Sequence, residues 1–151
     1  MTAGQRLPVL LGRVDLRELL DPAVVAETER QLRWLTDQRR PRDAEDTVEL
    51  LRQVGDLSDA ELARRGVSPD WLAALEGARR VLRVRLAGEP RWIGVEDAGR
   101  LRDALGVALP VGVAQAYLEP VADPLVDLVA RYARTHGPFT AAACAARFGL
   151  G

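Results

Sequence analysis

The spacing of apolar residues changes once along this chain, and the change predicts a short helix followed by a β-hairpin. Ser68-Pro69-Asp70 has the residue types that begin a helix, and apolar residues then recur at helical spacing: Trp71, Leu72, Leu75 and Ala78. After Arg80 the period falls to two, which separates two sets of side chains on opposite strand faces: Leu82, Val84 and Leu86 against Arg83 and Arg85. Residues 87–90 supply a turn, and 91–95 are the returning strand. The pattern predicts a hairpin with one basic face.

Two further short helices are predicted before this one. The first begins at Asp43 and ends at Gly55, with an apolar face of Val48, Leu51 and Val54. Ser58 and Glu61 have the spacing of a capping box, which opens a second helix through Arg65. Three short helices followed by a two-stranded wing are typical of the winged-helix form of helix-turn-helix. The predicted fold class is therefore mostly α with a small β-hairpin.

The rest of the chain is predicted to be helical. Residues 1–42 form an N-terminal helical segment and linker, with one short helix at 15–20 and a longer one from Asp21-Pro22. The apolar stripe of this longer helix is Val25, Thr28, Leu32 and Leu35. Pro41 breaks it, so the winged helix is assigned to 43–96. Residues 97–123 are a helical connector that includes a helix from Asp97 to Leu105, and Asp123-Pro124 begins another helix.

A pattern of six residues occurs twice at a constant offset. Gly55, Leu57, Ser58, Ala60, Ala63 and Arg65 match Gly137, Phe139, Thr140, Ala142, Ala145 and Arg147. Residues 124–151 are therefore predicted to be the first two helices of a second, truncated winged helix. Because the second copy stops before its third helix and wing, we expect the chain to be a fragment of a longer protein.

Composition narrows the class of protein. Charged residues make up 28% of the chain, no apolar run approaches the roughly 18 residues of a membrane span, and no signal peptide is recognisable. We therefore expect a cytoplasmic protein with no membrane partner. Lys+Arg 21 against Asp+Glu 22 gives a net charge of -1, so no overall field attracts nucleic acid. Every basic residue is Arg, so only the placement of arginines is informative.

Several kinds of chemistry are excluded by residue type. The chain has one Cys and one His, which rules out an internal disulfide and a multi-Cys/His zinc site. Without Lys it cannot form a Gly-x-x-x-x-Gly-Lys phosphate loop. We predict no catalytic residue, no metal site and no cofactor in this segment. Cys144 is expected to be buried and inert, and His136 to complement a helix dipole.

The candidate site is a local excess of positive charge around the hairpin. The end of the third helix and the wing contain one acidic residue, Glu89, and five arginines: Arg79, Arg80, Arg83, Arg85 and Arg91. These side chains are candidates for contacts with nucleic-acid phosphates. The alternative is a solvated sheet face in an Arg-rich protein. Trp71 and Trp92 have rings that can stack on bases, but core packing is favoured for both. Strict alternation along the returning strand leaves the face of Trp92 ambiguous and would put Arg91 on the same face as the apolar Ile93 and Val95.

Two long stretches, 91–106 (RWIGVEDAGRLRDALG) and 128–140 (LVARYARTHGPFT), resemble the Lhr family of large helicase-related proteins. The resemblance implies an ATP-dependent DNA helicase linked to DNA repair, with RecA-like motor domains followed by winged-helix modules. This chain would then lie downstream of the motor. ATP and Mg are implied for the parent protein, and DNA and the neighbouring helicase domains are implied as partners. The C-terminal region of some members also resembles winged-helix DNA glycosylases, but no catalytic residue of that activity maps here.

Two functions therefore remain open. The first is a DNA-contacting accessory module of a helicase, which is not itself an enzyme. The second is a structural or protein-interaction winged helix without direct contact to nucleic acid.

Overall fold

The computed structural model describes residues 21–151, which form helices around one antiparallel hairpin. The helices are α1 (Pro22–Leu32), α2 (Ala44–Val54), α3 (Asp59–Arg64), α4 (Pro69–Gly77), α5 (Ala98–Leu105), α6 (Pro124–Thr135) and α7 (Ala141–Arg147). The strands are β1 (Val81–Leu86) and β2 (Glu89–Gly94), and short 3-10 helices occupy Asp37–Arg39, Val95–Asp97 and Gln115–Tyr117. The mostly α fold with a small hairpin is confirmed. The helix predicted at 15–20 lies outside the described residues.

Side-chain caps explain where the three helices of the winged helix begin. The Asp43 carboxylate accepts from the Asp46 N–H at 2.8 Å, and the Ser68 hydroxyl accepts from the Asp70 N–H at 3.2 Å. The capping box predicted for α3 is present, because Ser58 and Glu61 each accept from the other's backbone N–H. The three helices and one end of the hairpin bury a first core: Trp34, Leu50, Leu51, Leu57, Leu62, Val67, Leu72, Leu75, Val81 and Trp92.

The hairpin turn contains two residues, Ala87 and Gly88, rather than the four predicted at 87–90. Ala87 and Gly88 both have positive φ, 51° and 81°, as a two-residue type I′ turn requires, so β2 already begins at Glu89. This register sets Arg83 opposite Trp92 and Val84 opposite Arg91. Leu57 adds a single bridge to Trp92 through two backbone hydrogen bonds of 2.7 and 3.1 Å. The turn between α2 and α3 is thereby fixed to the wing.

The apolar face of the hairpin is covered by the C-terminal helices. A second core joins β1 and β2 to α5, α6 and α7, and its buried members are Leu82, Val84, Leu86, Ile93, Val95, Ala98, Leu101, Val107, Leu128, Cys144 and Phe148. Residues from the segments 43–96, 97–123 and 124–151 all contribute to this core. The hairpin is therefore packed on the first core at one end and on the second core along its apolar face.

The helix before Pro41 ends earlier than predicted. Trp34 adopts a left-handed backbone conformation (φ 62°), and the Leu35 N–H bonds to the Arg30 carbonyl, so α1 stops at Leu32. The Trp34 ring is buried, and its indole N–H donates to Gln53 at 3.0 Å. The helix therefore ends beside the buried Trp34, well before Pro41. The stripe predicted for this helix is only partly covered, since Val25 and Leu35 are half-buried and Thr28 and Leu32 are exposed.

The repeated pattern places a similar cap at the start of α3 and of α7. Thr140 accepts from the Ala143 N–H at 3.0 Å, as Ser58 accepts from the Glu61 N–H for α3. In the connector, Gly106 ends α5 in the left-handed conformation, as predicted. The helix predicted from Asp123-Pro124 does begin at Pro124, but Asp123 has φ 50° and its side chain caps no N–H. Gly99 fixes the connector, since a Cβ there would lie 2.9 Å from the Tyr117 carbonyl. Only glycine allows this close backbone contact.

Candidate nucleic-acid interface

The basic face predicted for β1 is present and exposed. Arg83 and Arg85 are exposed, whereas Leu82, Val84 and Leu86 between them are buried. The Arg83 guanidinium pairs with Asp59 at 2.8 Å and lies 5.5 Å from the centre of the Trp92 ring. Arg85 donates to the Gly88 carbonyl at 3.0 Å and has no ion pair among residues 21–151. Arg85 therefore presents unneutralised charge at the wing.

The two arginines before the hairpin differ from each other. Arg80 forms a two-pronged pair with Glu45, and this hydrogen bond is the main cause that lowers the pKa of Glu45 below its usual value. Arg79 is exposed with φ 59°, beside Gly112 of the loop after α5, and has no ion pair within the described part of the chain. Of the four arginines outside the core, Arg79, Arg83 and Arg85 are exposed and Arg80 is half-buried, and Arg80 and Arg83 already have a carboxylate partner.

Arg91 lies inside the protein rather than on the basic face. Its side chain is 6% exposed, and it pairs with Asp56 and Glu89, both at 2.8 Å. It also donates to the Arg147 carbonyl at 2.6 Å. Strand parity explains this, because Arg91 is opposite Val84 and shares that residue's inward face. Arg91 is therefore not available to contact nucleic acid from this face.

The tryptophans are packing residues, as favoured from the sequence. Trp92 is 6% exposed in the first core, and its indole N–H donates to Asp59 at 2.7 Å. Trp71 is half-buried and packs against the same core. The same Asp59 carboxylate thus holds both Trp92 and Arg83, which fixes the guanidinium over the ring.

The exposed face of α4 is acidic. Its solvent-facing side chains include Asp70 and Glu76 beside Ala73 and Ala74, and the helix from Pro69 to Gly77 contains no arginine. In helix-turn-helix proteins the equivalent helix enters the major groove, which is bordered by negatively charged phosphates. Carboxylates on that helix would be repelled by these phosphates. The electrostatics of α4 are therefore unfavourable for that docking, and the positive charge lies on the wing.

A network of partly buried arginines behind the hairpin was missed from the sequence. Asp56, 3% exposed, accepts from Arg91 and lies 3.4 Å from Arg147, which also reaches Glu61 at 2.9 Å. Arg131 pairs with the buried Asp97 at 2.8 Å. The one available signal was the repeat, which aligns Arg65 with Arg147 at the ends of α3 and α7. Both line the same cleft.

The carboxylates of this network are tuned in opposite directions. Burial raises the pKa of Asp97, although Arg131 and Arg100 act against it. For Glu61 burial also acts to raise the pKa, but hydrogen bonds from Ser58 and the charge of Arg147 outweigh it, and the net pKa is lowered. The charge states of Asp97 and Glu61, behind the hairpin, therefore depend on the arginines paired with them.

His136 and Cys144 are not placed as reactive groups. The His136 ring stacks on Tyr132 with centroids 3.7 Å apart, and its Nδ1 lies 2.9 Å from the Tyr132 carbonyl. Burial lowers the pKa of His136, which disfavours the charged form that the predicted dipole interaction requires. Cys144 is 6% exposed, and burial raises the pKa of its thiol. Within residues 21–151, no cluster of His, Cys, Asp and Glu has the arrangement of a metal site.

Three helices, a bridging residue at Leu57 and a two-stranded wing define this chain as a winged-helix protein. The family model described as "Large helicase-related protein, winged-helix domain" matches residues 18–120. The chain therefore belongs to the large helicase-related family.

Two relatives match almost the whole chain. The "Lhr helicase/ probable uracil glycosylase" of Mycolicibacterium smegmatis is 55% identical over 148 residues, which cover 96% of this chain and 10% of that protein. The "Lhr helicase/uracil glycosylase" of Escherichia coli is 41% identical over 147 residues, which cover 94% of this chain and 10% of that protein. The chain thus spans about a tenth of the length of these relatives. None of the helices between residues 21 and 151 has the length and apolar character needed to cross a membrane.

Proposed function

We propose that this winged helix is an accessory module of an ATP-dependent DNA helicase involved in DNA repair, and that its wing contacts nucleic-acid phosphates. The observation that carries the proposal is the exposed basic face of β1, where Arg85 has no ion pair among the described residues and Arg83 is oriented by Asp59 and Trp92. Family membership supports the helicase context. ATP and Mg would be bound by the motor of the parent protein, whose neighbouring domains would be partners together with DNA.

The contacts proposed are to the phosphate backbone rather than to base edges. Guanidinium groups on a strand face can neutralise phosphates without reading sequence, whereas readout of bases requires an element in a groove. The acidic surface of α4 disfavours its entry into the groove. Binding should therefore depend on salt and show little preference among sequences.

The test is the binding of the chain to fluorescent single-stranded and duplex DNA across a salt series, with the variant Arg83→Ala/Arg85→Ala alongside. Each lost phosphate contact should reduce the slope of log affinity against log salt by about 0.9 on duplex DNA, so the double variant should lose up to about 1.8. Both residues are exposed, so the variant should remain folded.

A matched control removes the same charge elsewhere. Arg30 and Arg52 are exposed and pair with glutamates on their own helices, and the variant Arg30→Ala/Arg52→Ala should keep the slope of the wild type more nearly than the wing variant does. An equal loss of slope in the two variants would mean that the wing contributes only through the net charge of the protein. Unchanged binding in the wing variant would refute the proposed contact.

A second candidate function is a scaffold that docks protein. It is favoured by an exposed apolar surface on α6 and around α7, where five side chains are 38–65% exposed: Leu125, Val126, Val129, Phe139 and Leu150. A scaffold predicts no measurable affinity for DNA near physiological salt. The salt series therefore separates the two functions.

The names of both relatives also include uracil glycosylase activity, probable in one of them. We propose no part of that activity for this chain, whose candidate site is the row of exposed arginines on β1. The accessory role in the helicase is the function we propose.

A further inference from the structure

A cleft of about 380 Å³ lies between α1 and α3 on one side and α6 and α7 on the other. It is separate from the exposed face of the wing. Five arginines line it, namely Arg33, Arg65, Arg91, Arg131 and Arg147, with Asp56 and Glu61 as the lining carboxylates. Its volume is at the lower end of the range for sites that bind small ligands.

Three of these arginines have a carboxylate that explains their position. Arg91 pairs with Asp56, Arg147 with Glu61, and Arg131 with Asp97, at 2.8, 2.9 and 2.8 Å. These pairs account for both lining carboxylates. Neither is left for Arg65 or for Arg33, whose own ion pair is with Glu29, outside the cleft, at 3.2 Å.

Arg65 is buried without an acidic partner. It is 3% exposed, and its hydrogen bonds are to backbone carbonyls, Nε to Arg33 at 2.7 Å and Nη1 to Glu61 at 2.8 Å. Among residues 21–151 it forms no ion pair. Burial is the main cause that lowers its pKa, to about 10; the charge of Glu61 acts against it, and the nearby Arg33 and Arg147 act in the same direction as burial. A buried cation in this position is a cost that an anion would offset.

Arg33 supplies a second, independent observation. Its Nη2 reaches Glu29 at 3.2 Å, but its Nε is buried and has no hydrogen-bond partner within the described residues. Because the Arg33 carbonyl accepts from Arg65, the two arginines are held next to each other in the same cleft. An unsatisfied buried N–H is uncommon in folded proteins and calls for an acceptor.

We propose that this cleft binds a phosphate group, with Arg33 and Arg65 as its main donors. Guanidinium forks match the oxygens of a phosphate, and a phosphate offers several acceptors to donors that converge from different directions. The phosphate can be free, or it can belong to a bound nucleic acid. The inference does not depend on the wing, because no residue of its exposed face lines the cleft.

The first experiment follows the Nε–H signals of the arginines by NMR while inorganic phosphate is added to the full chain at constant ionic strength. The signals of Arg33 and Arg65 should shift in a saturable way, and chloride should not reproduce the shift. A second titration uses a short single-stranded oligonucleotide. Saturation by phosphate alone identifies a site for the free anion, and saturation by the oligonucleotide at much lower concentration identifies a backbone phosphate. No saturable shift with either ligand would overturn the proposal.

A variant makes the assignment specific. Arg33→Gln removes one donor from a side chain that is 28% exposed and should weaken phosphate binding about tenfold or more. Arg30→Gln is the matched control, since Arg30 lies in α1 one turn before Arg33, pairs with Glu27 and lies outside the cleft. Equal affinity in the two variants would contradict the assignment. Arg65→Lys keeps the charge but not the fork, and it should also bind phosphate more weakly than the wild type.

Discussion

Arg83 and Arg91 lie on neighbouring strands of one hairpin but have opposite environments. The Arg83 side chain is 46% exposed and pairs with an exposed carboxylate, whereas the Arg91 side chain is 6% exposed and pairs with a carboxylate that is 3% exposed. The register places the two on opposite faces of the sheet. Strand parity therefore decides whether an arginine is available to a ligand or is part of the structure. The same comparison separates the wing from the cleft.

The largest expected effect is on stability, and it compares the two arginines directly. Arg91→Met should cost about 3 kcal/mol of unfolding free energy, because it leaves Asp56 buried with only the longer contact to Arg147. Arg83→Met should cost at most about 1 kcal/mol, because exposed pairs contribute little. Urea denaturation of both variants measures the difference. Equal losses would show that burial does not distinguish the two sites.

A smaller, pH-dependent effect on stability is expected for Glu61, which lines the cleft and pairs with Arg147. The pKa of Glu61 is lower in the folded protein than in the unfolded chain, where it is about 4.3. Its contribution is therefore present above that value and is lost as the pH falls through the folded pKa. Glu61→Gln should be less stable than the wild type near neutral pH, by about 1 kcal/mol or less.

Unfolding free energies measured at several pH values check this sign. The gap between wild type and Glu61→Gln should close as the solution is made acidic, and a gap that widens would contradict it. Asp97 does not confuse the measurement, because its raised pKa is common to both proteins.

The sequence was sufficient for features that depend on neighbours along the chain. The caps at Ser58, Ser68 and Thr140, the end of α5 at Gly106 and the alternation along β1 each follow from residues a few positions apart. These features placed the helices of the winged helix and its basic strand. They also pointed to the exposed arginines, whose contact with nucleic acid stays a prediction.

Features that depend on distant residues could not be predicted. Alternation indicated that Arg91 shares a face with Ile93 and Val95, but its burial also depends on α7, which supplies the Arg147 carbonyl from 56 residues away. The early end of α1 depends on the fit of Trp34 against Gln53 of another helix. The cleft combines residues from both helix pairs, so the repeat aligned Arg65 with Arg147 without indicating that they share a cavity.

The smallest effect predicted is an increase in DNA affinity, whereas removal of an arginine from the wing should decrease it. Asp59→Asn removes a carboxylate beside Arg83 while it keeps an oxygen that can accept from the Trp92 indole. If the wing contacts phosphates, this variant should bind DNA about two- to fivefold more tightly at low salt. The matched control is Glu76→Gln, which removes the same charge from the exposed face of α4.

The most direct test of the central claim is the duplex-DNA affinity of wild type, Asp59→Asn and Glu76→Gln in one low-salt buffer. We predict tighter binding for Asp59→Asn and an affinity close to that of the wild type for Glu76→Gln. Tighter binding for Glu76→Gln with no change for Asp59→Asn would place the DNA on α4 and contradict the claim that the wing carries the contact.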